Sequence, residues 1–213
     1  MKYIVCVKQV PNTSGKVAVK EDGTMDRSKM ATIINPDDLN AVEAALALRD
    51  RNPDAKVIVV SMGPPPAMGM LHELLAMGAD EAVLVSGREF GGSDTFATSQ
   101  ILAGAIAHIG LEKDDIVFCG RQAIDGDTAQ VGAEVAEYLG IPHVANVLSV
   151  EEIKDGKAYV TVSLDDMVVT VGEAPAAEAS DVPALAYESD FSAGTDGWYA
   201  RSAGGASVSI TDE

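Results

Sequence analysis

Short β-branched runs alternate with longer segments of helical periodicity along the first two thirds of the chain. Tyr3 to Val7, Lys56 to Ser61, Glu81 to Val85 and Asp115 to Cys119 are nearly continuous apolar runs of strand length. Runs of that kind arise when both faces of a strand are covered, as in a parallel sheet with crossover helices. The intervening segments have helical spacing. Asp38 to Arg51 places Leu39, Val42, Ala45 and Leu46 on one face. Pro66 to Met77 stops at Gly78, Ser93 to Ile109 at Gly110, and Asp127 to Leu139 at Gly140, each glycine a helix C-terminus signal. The pattern predicts an α/β fold, a mostly parallel sheet with flanking helices.

Past Pro142 the periodicity changes. His143 to Val150, Glu152 to Ile153, Ala158 to Leu164 and Met167 to Val171 read as short strands with a turn at Asp155-Gly156. No crossover helices separate them, so the expectation is antiparallel pairing at a sheet edge. From Gly172 the chain turns rich in Ala, Pro, Glu, Ser and Gly, which predicts one folded domain over residues 1–172 and a linker and tail over 173–213. Ala206 to Ile210 is one short alternating run within that tail.

Composition narrows the function. With 33 acidic and 15 basic residues the net charge is -18, which excludes a nucleic-acid or anionic-membrane binder. Any phosphate must then be held by local N–H groups and a few chosen cations. No stretch approaches the roughly 20 apolar residues of a membrane span, and the N-terminal apolar run is too short for a signal peptide, so a cytoplasmic location is expected. The two cysteines, Cys6 and Cys119, lie in apolar runs without a CxxC or Cys/His cluster, which reads as two buried thiols and no metal site.

Ligands of an open parallel sheet bind beyond the carboxyl ends of its strands. Four loops therefore matter. Lys8 to Thr13 follows the first strand. Asn35-Pro36-Asp37-Asp38 opens the first helix, with Asn35 a natural N-cap and Pro36 well placed at the first helical position. That segment is either plain capping or a contact to a nucleotide base or ribose. Ser61-Met62-Gly63-Pro64 leaves the second strand. The most informative stretch is Gly120, Arg121, Gln122, Ala123, Ile124, Asp125, Gly126, Asp127, Thr128, Ala129, Gln130, Val131 and Gly132, from the fourth strand into a helix. Its glycines, hydroxyl, amide and free helix N–H groups suit a pyrophosphate, with Arg121 as the cation. The bland reading is a long turn capped by Asp127.

GxGxxG, GxxxxGK[ST], GxSxG and HExxH motifs are all missing. His72, His108 and His143 are scattered and read as structural, and Met62, Met68, Met70 and Met77 as gap-filling. No catalytic acid–base pair or nucleophile can be assembled. The residues alone describe a nucleotide binder without hydrolytic machinery.

Five segments in register resemble the beta (small) subunits of electron transfer flavoproteins. They are Val5 to Pro11, Ile33 to Asp38, Ser61 to Pro64, Ala76 to Glu81 and Gly120 to Gly132. The resemblance implies a doubly wound fold, a nucleotide-binding domain over residues 1–172 with an adenine nucleotide contacted at Cys6, Asn35, Pro36, Asp37, Asp38, Met62 and Gly120 through Val131, and a heterodimer with an alpha subunit carrying its own FAD. The nucleotide is AMP in ordinary members and a second FAD in bifurcating ones, where it takes hydride from NADH. Gln122 to Thr128 and Val10 to Thr13 look like the bifurcating group, which implies FAD. An acyl-CoA dehydrogenase or a quinone-linked acceptor is the implied downstream partner. The likeness ends after Val171, where the family's usual basic run and partner-embracing arm are missing; Asp190 to Trp198 instead faintly resembles the start of a carbohydrate-binding β-sandwich. A non-redox AMP or ATP module of similar fold, and an inactive truncated fragment, are the competing expectations.

Overall fold

The computed structural model describes residues 1–12, 31–154, 157–162, 168–171 and 209–210. Its elements, in chain order, are β1 (Lys2–Cys6), β2 (Gln9–Pro11), β3 (Thr32–Ile34), α1 (Pro36–Arg51), β4 (Lys56–Met62), α2 (Met68–Met77), β5 (Glu81–Ser86), α3 (Thr95–Ile109), β6 (Ile116–Cys119), α4 (Val131–Leu139), β7 (Val147–Lys154), β8 (Lys157–Val162), β9 (Val168–Val171) and β10 (Ser209–Ile210). All four expected parallel strands are present, each within a residue or so at either end. The main sheet runs β10-β5-β4-β1-β6, its inner four strands parallel and β10 antiparallel on the outside of β5.

The chain enters in the middle at β1, steps outward through β4 to β5, then returns to the other flank of β1 with β6. Strand order therefore reverses between β1 and β6. Alternate side chains of β1 serve two cores, as the pleat requires. Tyr3 and Val5 join Val57 and Val59 beneath Val42, Ala45, Leu46, Leu71 and Leu74 of α1 and α2. Ile4 and Cys6 join Ile58, Val60 and Val85 beneath Leu102, Ala105 and Ile106 of α3 and Val135 of α4. Each such buried aliphatic side chain contributes about 1.5–3 kcal/mol. The exposed Lys56–Glu81 pair linking β4 to β5 at 2.7 Å is screened by solvent and adds little. Apolar packing sets the sheet.

Three features differ from the sequence expectation. The antiparallel strands β7, β8 and β9 form a sheet of their own and do not extend the parallel one, whose edge partner on the β5 side is β10. Arg51 at the end of α1 donates from its guanidinium to the carbonyls of Glu151 (2.9 Å) and Val150 (3.3 Å), tying that small sheet to the main body. Second, Gln9–Pro11 pairs antiparallel with Thr32–Ile34, within the stretch expected to be the loop after the first strand. Three-residue strands carry too little periodicity to be read, although Val10 at the centre is fully buried. Third, α4 begins at Val131, four residues after Asp127. The backbone φ of Asp127 is 52° and that of Ala129 is 53°, left-handed values that no helix accommodates. Thr13 and most of the tail over 173–213, including the segment around Trp198, lie outside the described residues.

Candidate functional site

Cys6 and Cys119 end β1 and β6 and are register partners on adjacent strands. They form the floor of the place where strand order reverses. The hydrogen bond between the two thiols, together with burial, pushes the Cys6 thiol well above its ordinary range, so it stays protonated at neutral pH. Met62 ends the neighbouring strand and packs half-buried on the same side as Cys6. One residue earlier, Ser61 is buried with its hydroxyl unpartnered among the described residues.

Two helix N-termini flank this floor. The first turn of α4 lies against the end of β6: a Cβ at Gly132 would stand 3.2 Å from the Cβ of Cys119. The first turn of α1 meets the loop leaving β6 even more closely. A Cβ at Gly120 would stand 2.2 Å from Oδ1 of Asp38 and 2.7 Å from two backbone atoms, the carbonyl carbon of Asp37 and the nitrogen of Asp38. Only glycine permits that approach.

Asp38 is 7% exposed and accepts a hydrogen bond at 2.8 Å from the backbone N–H of Lys8. Burial raises its carboxyl from 3.8 to about 6, aided by the charge of Asp37; hydrogen bonds from Asn35 and from the backbone of Lys8 and Gly120 act in the opposite direction. Asp38 thus joins three segments: the exit of β1, the start of α1 and the exit of β6.

Asn35 precedes α1 but its side chain does not cap the helix. It is 0% exposed, donates from Nδ2 to the carbonyl of Gln122 at 2.8 Å and accepts at Oδ1 from the N–H of Ile124 at 3.2 Å. Further along, the chain turns: the amides of Gly126 and Asp127 both donate to the carbonyl of Ala123, at 3.2 and 2.8 Å. Acidic side chains of this loop are engaged. Asp125 pairs with the ammonium of Lys8 at 2.7 Å, and Asp127 accepts from Gln122 Nε2 at 3.0 Å. Lys8, missed as a site residue, is separated from Asp125 by 117 positions, and no local signal could have linked them.

The following amides are different. Among the described residues, no acceptor takes the backbone N–H of Thr128 or Ala129, or of Val131, Gly132 and Ala133 in the first turn of α4; the helix ladder begins with Glu134 donating to the carbonyl of Gln130 at 3.0 Å. Asp127 and Ala129 hold left-handed backbone at a cost of roughly 1–3 kcal/mol each. Arg121, at the start of the same loop, is exposed and forms no ion pair among the described residues. Behind it Glu134 is fixed by the hydroxyls of Thr95 (3.2 Å) and the buried Ser99 (2.8 Å), which pins α4 to α3.

Of the sequence-derived site residues, the structure brings Cys6, Asn35, Asp38, Gly120, Gln122 and Ile124 together. Pro36 and Asp37 form the adjoining first turn of α1, and Ala123 is the acceptor of the loop's turn. Gly126, Thr128, Ala129 and Gln130 are exposed along the loop, and Val131 opens α4 half-buried. Among the described residues, a run of N–H groups without acceptors, an exposed guanidinium and an apolar floor of thiol and thioether side chains make a donor set that fits a diphosphate joined to a flat ring. Among the described residues, no group of three or more His, Cys, Asp or Glu converges, and no helix is long and apolar enough to cross a membrane.

The arrangement defines a class: an open, doubly wound α/β sheet whose cleft lies beyond the carboxyl ends of the two strands where strand order reverses. Residues 22–180 match the family described as electron transfer flavoprotein domain. The chain is 64% identical over 144 residues to the acryloyl-CoA reductase electron transfer subunit gamma of Anaerotignum propionicum, covering 68% of this chain and 54% of that protein. It is 52% identical over 166 residues to the caffeyl-CoA reductase-Etf complex subunit CarD of Acetobacterium woodii, covering 78% and 62%. It is 57% identical over 151 residues to the electron transfer flavoprotein subunit beta of Clostridium acetobutylicum, covering 71% and 57%. The chain belongs to the electron transfer flavoprotein family. It spans between 54% and 62% of the length of these three relatives.

Proposed function

We propose that this chain is the nucleotide-holding beta subunit of an electron transfer flavoprotein. It binds FAD in the cleft beyond β1 and β6, works with an alpha subunit partner in the cytoplasm, and takes part in NADH-dependent electron bifurcation. An acyl-CoA dehydrogenase or a quinone-linked carrier is the partner class that accepts its electrons. The single observation that carries the reading is the run of amides from Thr128 to Ala133 that find no acceptor among the described residues, held over a thiol floor in a chain of net charge -18. The names of two relatives, an acryloyl-CoA reductase electron transfer subunit and a caffeyl-CoA reductase-Etf complex subunit, support the redox setting.

In this reading the flavin, when bound, supplies the redox chemistry. The protein's part is positional and electrostatic. Free N–H groups at the start of α4 and the adjoining loop receive the phosphates, and Arg121 offsets their charge against the acidic background. Pairing of Asp125 with Lys8 and of Asp127 with Gln122 ties up carboxylates that would otherwise repel the ligand. The protonated thiol of Cys6, with Met62, offers an uncharged surface to a ring system. Pro36, Asp37, Asp38 and the stretch Gly120 through Val131 complete the walls.

The test is to purify the protein with its alpha subunit, denature the complex and identify the released ligands by chromatography and mass. Two FAD per heterodimer are expected. One FAD accompanied by AMP would refute the bifurcating assignment, and the absence of any adenine nucleotide beyond the alpha subunit's own would refute the site.

A further inference from the structure

We propose that Asn35 is a positioning residue for the phosphate-binding loop and not itself a contact to the nucleotide, an inference that rests on the nucleotide reading above. A residue of this type directly before a helix ordinarily turns its side chain onto the helix's first amides. In this protein it does not, and the first helical residue is Pro36, which has no N–H to offer. The carboxamide of Asn35 faces the loop leaving β6, fully buried, and both of its ends are occupied there: Nδ2 donates to the Gln122 carbonyl and Oδ1 accepts from the Ile124 amide. Those two contacts, two residues apart on one strand of chain, copy the way a neighbouring β-strand grips backbone.

The grip has a purpose in the residues that follow. Asp127 and Ala129 are held at φ of 52° and 53°, and the loop's own internal bonds reach only as far as Asp127. A segment with two left-handed non-glycine residues relaxes unless both ends are fixed. The α4 helix fixes one end. Asn35 fixes the other, together with the close seat of Gly120 on Asp38. Freed from the clasp, the amides of Thr128 and Ala129 would no longer align with those of Val131 to Ala133.

The experiment compares full-length wild-type protein with Asn35→Ala and Asn35→Asp, each freed of nucleotide, by calorimetric titration with adenosine, AMP and ADP and by amide hydrogen exchange without ligand. Positioning predicts that ADP affinity falls at least about tenfold in both variants while adenosine affinity changes less than about twofold. It also predicts at least about tenfold faster exchange at residues 122–130, with α1 and β1 unchanged. The Asn35→Ala variant controls for the charge introduced in Asn35→Asp. Equal losses for adenosine and ADP would make Asn35 a base or ribose contact and overturn the proposal, as would unaltered loop exchange. Wild-type protein that binds none of the three ligands would sink the nucleotide reading, while the exchange comparison would still decide what Asn35 does.

Discussion

Replacing Asp38 by asparagine removes a carboxylate that the fold buries between the exits of β1 and β6 and the start of α1. In the folded protein this carboxyl titrates at about 6, against 3.8 when unfolded and free. Between those values the folded state holds more protons than the unfolded state, so stability falls as pH rises through the window. The deficit is absent well below 3.8 and fully present above about 6. Linkage gives a cost that is roughly half developed at pH 5 and reaches about 3 kcal/mol by pH 7.5. An amide in the same place can still accept from the Lys8 N–H, and whatever it loses toward Gly120 is a constant offset, independent of pH. The assay is therefore a difference: urea unfolding of wild type and Asp38→Asn at several pH values from about 5 to 7.5. The stability of Asp38→Asn relative to wild type should rise by roughly 1–2 kcal/mol across that range. A difference that stays flat with pH would mean that Asp38 titrates as a solvated carboxyl, and the three-way junction described above would be wrong.

The glycines and cysteines of the site supply three more tests. Gly120→Ala forces a Cβ into two backbone atoms of α1 and should cost about 2–3 kcal/mol in urea unfolding, with weakened nucleotide binding. Gly126→Ala, with nothing within 4 Å of the added carbon, should stay within about 0.5 kcal/mol of wild type, and equal effects at the two glycines would refute the close-approach argument. Iodoacetamide at pH 8 should alkylate the half-buried Cys119 at least about tenfold faster than Cys6, whose thiol is 7% exposed and held protonated, as read by peptide mass mapping. Comparable rates would show that the cleft floor opens in solution.

Much of the architecture was legible before any coordinates. The apolar runs of β1, β4, β5 and β6 are long, β-branched and bounded by turns, and burial on both faces leaves a one-dimensional imprint. Glycines 78, 110 and 140 marked the ends of α2, α3 and α4 correctly. Gly120 to Gly132 stood out as a loop with more glycine and polar residues than a turn requires. Resemblance among five spaced segments carried the family.

Other features depend on contacts between distant positions. Nothing local distinguishes an Asn35 that caps its own helix from one that reaches Gln122, 87 positions on; the choice is made by the packing of α1 against the β6 exit. The late start of α4 is of the same kind, since Asp127 and Ala129 enter left-handed backbone only because the loop is anchored at both ends. The sheet assignment of β7 to β9 likewise rests on the bonds from Arg51 and on packing over α1, which periodicity does not encode. Sequence alone determined which segments are strands and helices, because side-chain burial repeats with the backbone's own period. Tertiary structure decided which amides remain free for a ligand, because that depends on which distant acceptors the fold brings within hydrogen-bonding reach.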